Sequence, residues 1–303
     1  MRAFFDIDRS TIDAVPTNSR QEDDPAIANA TPPDTEKEME LVTSADGTEI
    51  AVEQTGNGPP LLLVHGGLGD HTRWGPLTSH LESHVTVYAM DRRGRGASGD
   101  TPEYAVEREF EDVAAVVDAV ADASDSTVDV YGVSSGANFA IGAAALTSNI
   151  GRLMLYEPGI DSGMKVLPDG LPEQMDELLD AGKREETVEL LFTEGLQMTD
   201  EELAAYRDDP SWPSRVDTAH TLPRELRIPP ERYFDPEQAT AISIPTLLLV
   251  GEESPAHLKE DTEPVIEALS DARIEMLHGQ AHSADIVAPE LVAEKILAFR
   301  NET

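Results

Sequence analysis

A chain of 303 residues with a formal net charge of −37 and no cysteine is long enough to bury a sizeable core, and it excludes disulfides, thiolate-bound metal and a cysteine nucleophile. Carboxylates spread along the whole length repel nucleic acid and anionic lipid, so neither is an expected partner. No run is apolar for long enough to span a bilayer and Met1–Asp8 lacks the basic-then-apolar order of a secretory signal, so a cytoplasmic protein with a small-molecule substrate is expected.

Residues 1–37, rich in Asp, Glu, Asn, Thr and Pro, cannot bury enough apolar surface to hold themselves together and read as a flexible acidic extension. A hairpin follows, with Glu40–Thr43 and Glu49–Glu53 alternating apolar and polar residues around the turn signal Asp46-Gly47. From Pro60 onward short apolar runs alternate with longer amphipathic ones, the pattern of an α/β protein whose parallel sheet carries helices on both faces. Strands are predicted at Leu61–Val64, Val85–Ala89, Val128–Tyr131, Leu153–Tyr156, Thr246–Val250 and Ile274–Leu277. The clearest helix runs from Ala105 to Ala121, with Val106, Phe110, Val113, Val117 and Val120 as its apolar stripe.

Between Tyr156 and Thr246 the strand signal stops. Helices near Glu173–Leu179, Glu185–Glu194 and Asp200–Tyr206, then Trp212-Pro213 and Pro229-Pro230, suggest a helical insertion over 159–240 within a core made of 38–158 and 241–303.

The chemistry starts at Gly132-Val133-Ser134-Ser135-Gly136, placed between a predicted strand and a predicted helix. A sharp strand-to-helix turn excludes side chains at the glycine positions and lifts the Ser134 hydroxyl clear of the sheet, where it can act as a nucleophile. Such a serine needs a base and an oriented acid. His282, in Gly279-Gln280-Ala281-His282 just past the last strand, is the best base, while His278 at the strand end is better read as packed or solvated. An oxyanion would need two backbone amides; Ser135, at the helix start, and Gly67, in the loop His65-Gly66-Gly67-Leu68-Gly69, are the candidates. His65, Asp70 and His71 offer metal-ligand chemistry, but one glycine-rich loop supplies too few partners at the wrong spacing, so no metal is expected.

Four landmarks, His65-Gly66-Gly67, Asp91-Arg92-Arg93-Gly94-Arg95-Gly96-Ala97-Ser98, Gly132–Gly136 and Gly279–His282, resemble in order those of the α/β-hydrolase superfamily over roughly residues 40–300. The resemblance implies an eight-stranded, mostly parallel sheet, a helical lid after the sixth strand and a Ser-acid-His order. It also implies an aspartate in the loop after the seventh strand, yet Gly251-Glu252-Glu253-Ser254-Pro255 has Ser254 there. Two positions compete for the acid. Glu157, in Leu155-Tyr156-Glu157-Pro158, stands where some lipases and related hydrolases carry it and is preferred; Glu253, or less readily Glu252, could reach His282 with a longer side chain. The acidic, lysine-poor composition is similar to that of proteins from salt-loving microbes, in which hydrated carboxylates keep the chain soluble while salt screens their repulsion.

Gly94–Gly99 also matches the dinucleotide fingerprint G-x-G-x-x-G, but Asp91-Arg92-Arg93 precedes the glycines and Thr101-Pro102 follows them before any helix begins. A structural loop with local ion pairs of Asp91 and the arginines is the better reading. In the insertion, Trp212, Met164, Met175, Met198, Phe192 and Leu196 could wall a pocket, and Leu68, Trp212 and His220 are the substrate-binding candidates; Arg224 reads as a surface ion pair. The expected activity is cofactor-free hydrolysis of a small or medium carboxylic ester, thioester or lactone through an acyl-enzyme on Ser134. Acyl transfer, perhydrolysis, carbon-carbon cleavage or non-catalytic ligand binding on the same fold are the alternatives.

Overall fold

The computed structural model describes residues 38–159, 167–196 and 198–302; the expected N-terminal extension and Met164 lie outside the described residues. The hairpin forms where the turn signal stands. Strands β1 (Glu38–Thr43) and β2 (Glu49–Gly56) pair antiparallel with Thr43 opposite Glu49, and Gly47 takes φ +89° in the turn, a conformation that glycine adopts without a Cβ clash.

Next come β3 (Pro60–Val64), α1 (Gly75–Leu81), β4 (Thr86–Met90), α2 (Val106–Ser124), β5 (Val128–Val133), α3 (Ser135–Ala144) and β6 (Ile150–Tyr156). The helices α4 (Leu171–Asp180), α5 (Arg184–Leu190), α6 (Asp200–Arg207), α7 (Trp212–Asp217), α8 (Leu222–Leu226), α9 (Pro230–Tyr233) and α10 (Pro236–Ala239) then intervene. Strand β7 (Thr246–Gly251), α11 (Ala256–Ala268), β8 (Ala272–Leu277), α12 (Ala284–Val287) and α13 (Pro289–Arg300) complete the described chain. All eight strands join one sheet in the order β1-β2-β4-β3-β5-β6-β7-β8, with β1 and β2 antiparallel to their neighbours and every other pair parallel.

The continuous apolar runs are explained by helices on both faces. Leu62, Val64, Val130, Leu153, Leu155 and Leu248 point to one face, against Val113 and Val117 of α2 and Phe139 of α3. Their chain neighbours Leu61, Leu63, Tyr131, Met154, Leu247 and Leu249 point to the other, against Leu77 of α1 and Ile296 of α13. Each such fully buried Leu or Val stabilises the fold by about 1.5–3 kcal/mol relative to exposure. A third core lies within the inserted helices, where Leu171, Met175, Val188, Phe192, Leu203, Trp212 and Leu222 meet Leu68 from the loop after β3. Leu68 thereby ties the insertion to the carboxyl edge of the sheet. Because β3 to β8 run parallel, the loops carrying Gly67, Ser134, Glu157 and His282 all leave from that same edge.

Candidate active site

At the end of β5 the chain turns sharply into α3, and Ser134 sits in the turn with φ +55° and ψ −130°, a conformation disfavoured for a non-glycine residue. The flanking glycines are explained by contact distances. A Cβ on Gly132 would lie 2.6 Å from the Gly136 carbonyl oxygen, and one on Gly136 would collide with the Val64 oxygen and lie 2.6 Å from that of His65. The Ser134 amide donates to the Tyr156 carbonyl at 2.9 Å, which locks the turn to the end of β6.

Glu157, the next residue along, is fully buried and also left-handed, at φ +45°. Its Oε1 accepts the Gly251 amide at 2.7 Å and its Oε2 lies 2.6 Å from His282 Nδ1. An ionised carboxylate only accepts, so Nδ1 carries the proton in this contact and Nε2 is left as the basic nitrogen. Two donors offset the cost of burying the carboxylate. The Tyr156 hydroxyl donates to the Ala281 carbonyl, and its ring lies 6.1 Å from the imidazole, so β6 holds the His282 loop through two successive residues.

The loop after β3 is pinned from beneath. Burial, reinforced by the charges of Arg92 and Arg95, pushes His65 well below the usual imidazole range, so the ring is neutral. It accepts the Arg92 amide at Nε2 (3.2 Å) and donates from Nδ1 to the Gly66 carbonyl (2.9 Å), to which Arg92 Nη1 also donates at 3.1 Å. In a planar trans peptide the N–H points opposite to the carbonyl, so with the Gly66 oxygen held downward the Gly67 amide faces outward. Gly67 is exposed, and a Cβ on it would meet nothing within 4 Å, whereas one on Gly66 would lie 3.0 Å from Ser134 Cβ. Arg92 is itself fully buried, forked onto Glu109 (2.7 and 3.0 Å), bonded to Glu225 of α8 at 3.1 Å and stacked 4.2 Å above the Phe139 ring of α3.

A family model described as the alpha/beta hydrolase family matches residues 61–295. The chain belongs to that family. An alpha/beta hydrolase structure from Sphaerobacter thermophilus is similar at 37% identity and a TM-score of 0.74, covering 86% of this chain and all of the other. Among curated proteins, the N-formylmaleamate deformylase of Pseudomonas putida is 33% identical over 131 residues, 42% of this chain and 47% of that protein. The chain thus matches only about half of that relative's length. The 2-hydroxy-6-oxo-6-(2'-aminophenyl)hexa-2,4-dienoic acid hydrolase of Metapseudomonas resinovorans is 23% identical over 86% of this chain and 90% of its own.

In this alpha/beta hydrolase the other candidate residues have the following partners. Glu253 is exposed, and what it contributes is its amide, donated to the Gln280 carbonyl at 2.8 Å. Glu252 accepts from the Gly279 amide and faces His278, not His282. Trp212 is buried in the core of the insertion with its Nε1 donating to Glu185 at 2.9 Å, so its indole supports the insertion rather than lining an open wall. Leu68 packs in the same cluster and has φ +54°. His220 contacts the Asp217 carbonyl at 3.2 Å within the insertion. Arg224 bonds both Asp100 oxygens at 2.8 Å, clamping the insertion to the loop after β4.

Asp91 and the arginines of that loop each make ion pairs, though not with one another. Asp91 takes the His71 amide and ring and the Ala97 amide, while Arg92 and Arg93 reach Glu109 and Asp112 on α2. The cluster of Asp70, His71 and Asp91 has its oxygens engaged by protein donors: Thr72 and Ser214 occupy Asp70 as His71 and Ala97 occupy Asp91. Sequence reasoning missed Arg92 and Tyr156 as supports of the site. Their only signal was position, each at the carboxyl end of a buried strand.

Proposed function

We propose that the protein is a serine hydrolase acting on a small or medium carboxylic ester, thioester or lactone. The single observation that carries this reading is the 2.6 Å contact between Glu157 Oε2 and His282 Nδ1 on the same sheet edge as the left-handed Ser134 turn. With Glu157 orienting the ring, His282 Nε2 takes the Ser134 proton as Oγ attacks the acyl carbonyl, and the oxyanion is held by the amides of Gly67 and Ser135. Gly67 is suited to this by the outward turn of its amide. Ser135 is suited because the first amides of a helix lack intrahelical acceptors. The imidazolium then protonates the leaving group, and water activated by the same nitrogen releases the acid and restores Ser134. The inserted helices act as a lid, tied to the site through Leu68 and Asp70. No cofactor takes part, and the working medium is concentrated salt.

A fluorophosphonate probe in concentrated salt tests the reading. Labelling should occur in the wild type and vanish in Ser134→Ala with the fold retained; a folded wild type left unlabelled would favour a ligand-binding protein instead. Product analysis with and without an added alcohol or peroxide acceptor separates hydrolysis from acyl transfer and perhydrolysis.

A further inference from the structure

The inserted helices carry an arginine that, among the described residues, has no carboxylate within ion-pair distance. All the described arginines except Arg184 and Arg215 have a carboxylate in ion-pair contact. Arg184 is exposed and donates to the Asp217 carbonyl at 2.6 Å. Arg215 is only partly exposed. Its Nε donates to Ser211 Oγ at 3.1 Å and its guanidinium lies 5.3 Å from the Tyr206 ring centre, so its fork of terminal nitrogens has no acceptor among the described residues. In a chain of net charge −37 with carboxylates throughout, a half-buried arginine held this way is costly unless something else completes it.

Its surroundings point toward the reaction centre. On the same short helix Ser214 donates to Asp70 and Trp212 packs with Leu68, both on the loop whose Gly66 abuts Ser134. Arg215 also feels the charges of Arg73, of Asp209, whose Oδ1 already accepts the Ser211 amide and hydroxyl, and of Asp285, three residues beyond His282. That carboxylate is already taken: Arg73 binds both its oxygens, at 2.8 and 2.9 Å. Burial, with the charge of Arg73 added, pulls the Arg215 guanidinium below its ordinary value, and the charges of Asp209 and Asp285 offset this only in part.

We propose that Arg215 binds a carboxylate on the substrate, so that the preferred substrate is the half-ester or half-thioester of a dicarboxylic acid rather than a neutral ester. The proposal rests on the Ser134 reading for the place of the acyl carbonyl. A planar fork matches a carboxylate with two parallel hydrogen bonds, and aromatic stacking keeps it oriented before the ligand arrives.

Two measurements test it. In the first, monomethyl esters of succinate, glutarate and adipate are compared with the corresponding dimethyl esters. The wild type should favour at least one half-ester, and Arg215→Met should lower kcat/KM for it by roughly tenfold to a hundredfold, mainly through KM, while leaving the diester within about twofold. Equal losses on both substrates, or a wild-type preference for the diester, would overturn the proposal. In the second, calorimetry measures binding of the same half-ester to Ser134→Ala, with and without Arg215→Met, each checked for folding by its melting curve. Binding that needs Arg215 supports the subsite even if turnover of every ester is absent, which would count against the Ser134 reading alone. Binding indifferent to Arg215, or no binding, overturns the subsite.

Discussion

His282 Nδ1 and Glu157 Oε2 lie 2.6 Å apart although 125 residues separate them, and the neighbouring pair Tyr156 and Ala281 are joined by a hydrogen bond of their own. If the carboxylate orients the imidazole and stabilises its charged form, Glu157→Gln should keep the shape and lose the charge. We expect kcat to fall by about 10³–10⁴-fold with a small change in KM, and Glu253→Gln to stay near wild type. Steady-state kinetics on one ester settles both, and full activity in Glu157→Gln would remove Glu157 from the mechanism.

The buried fork of Arg92 onto Glu109 supports the Gly66 carbonyl and so the outward face of Gly67. Glu109→Gln leaves a fully buried guanidinium short of its charge partner and should destabilise the protein by about 3 kcal/mol. Thermal melting checks this, with a fall of several degrees expected. A variant melting at the wild-type temperature would mean that Glu225 alone satisfies Arg92.

His71 is held against buried Asp91, whose hydrogen bond raises the imidazole above its ordinary value. A raised folded-state value means that the contribution to stability is complete below the unfolded-state value and disappears as pH rises through the folded one. His71→Leu should therefore cost about 1 kcal/mol at pH 6 and progressively less toward pH 9. Melting curves of both proteins across that range check the sign; a gap that widens with pH would contradict it.

Carboxylates dominate the surface, while much of the arginine is paired internally or across short contacts. Screening should therefore matter: the melting temperature is expected to fall steadily as salt is lowered from molar to about 10 mM, where the screening length reaches about 30 Å. A melting temperature indifferent to salt would count against working conditions of concentrated salt.

Much of this was legible in the chain because strong local patterns coincide with buried elements. The apolar runs at Leu61–Val64, Val128–Tyr131 and Thr246–Val250 became central strands since both faces are covered, and the glycines around Ser134 mark a turn with no room for a Cβ. Trp212 was harder: an aromatic residue in an insertion reads equally as pocket wall or core, and its neighbours, not its sequence, put it in the core.

By itself the sequence determined the order of strands and helices, the serine in the strand-to-helix turn and the loop histidine, because backbone sterics and hydrophobic periodicity act over a few residues. Only the tertiary structure decided which carboxylate meets His282. Glu157 and Glu253 both follow parallel strands at one edge of the sheet, and their spacing along the chain does not reveal which side chain turns inward. The left-handed backbone at Glu157, the Gly251 amide that receives its other oxygen and the exposed position of Glu253 come from packing between β6 and β7, a contact between residues about 90 positions apart.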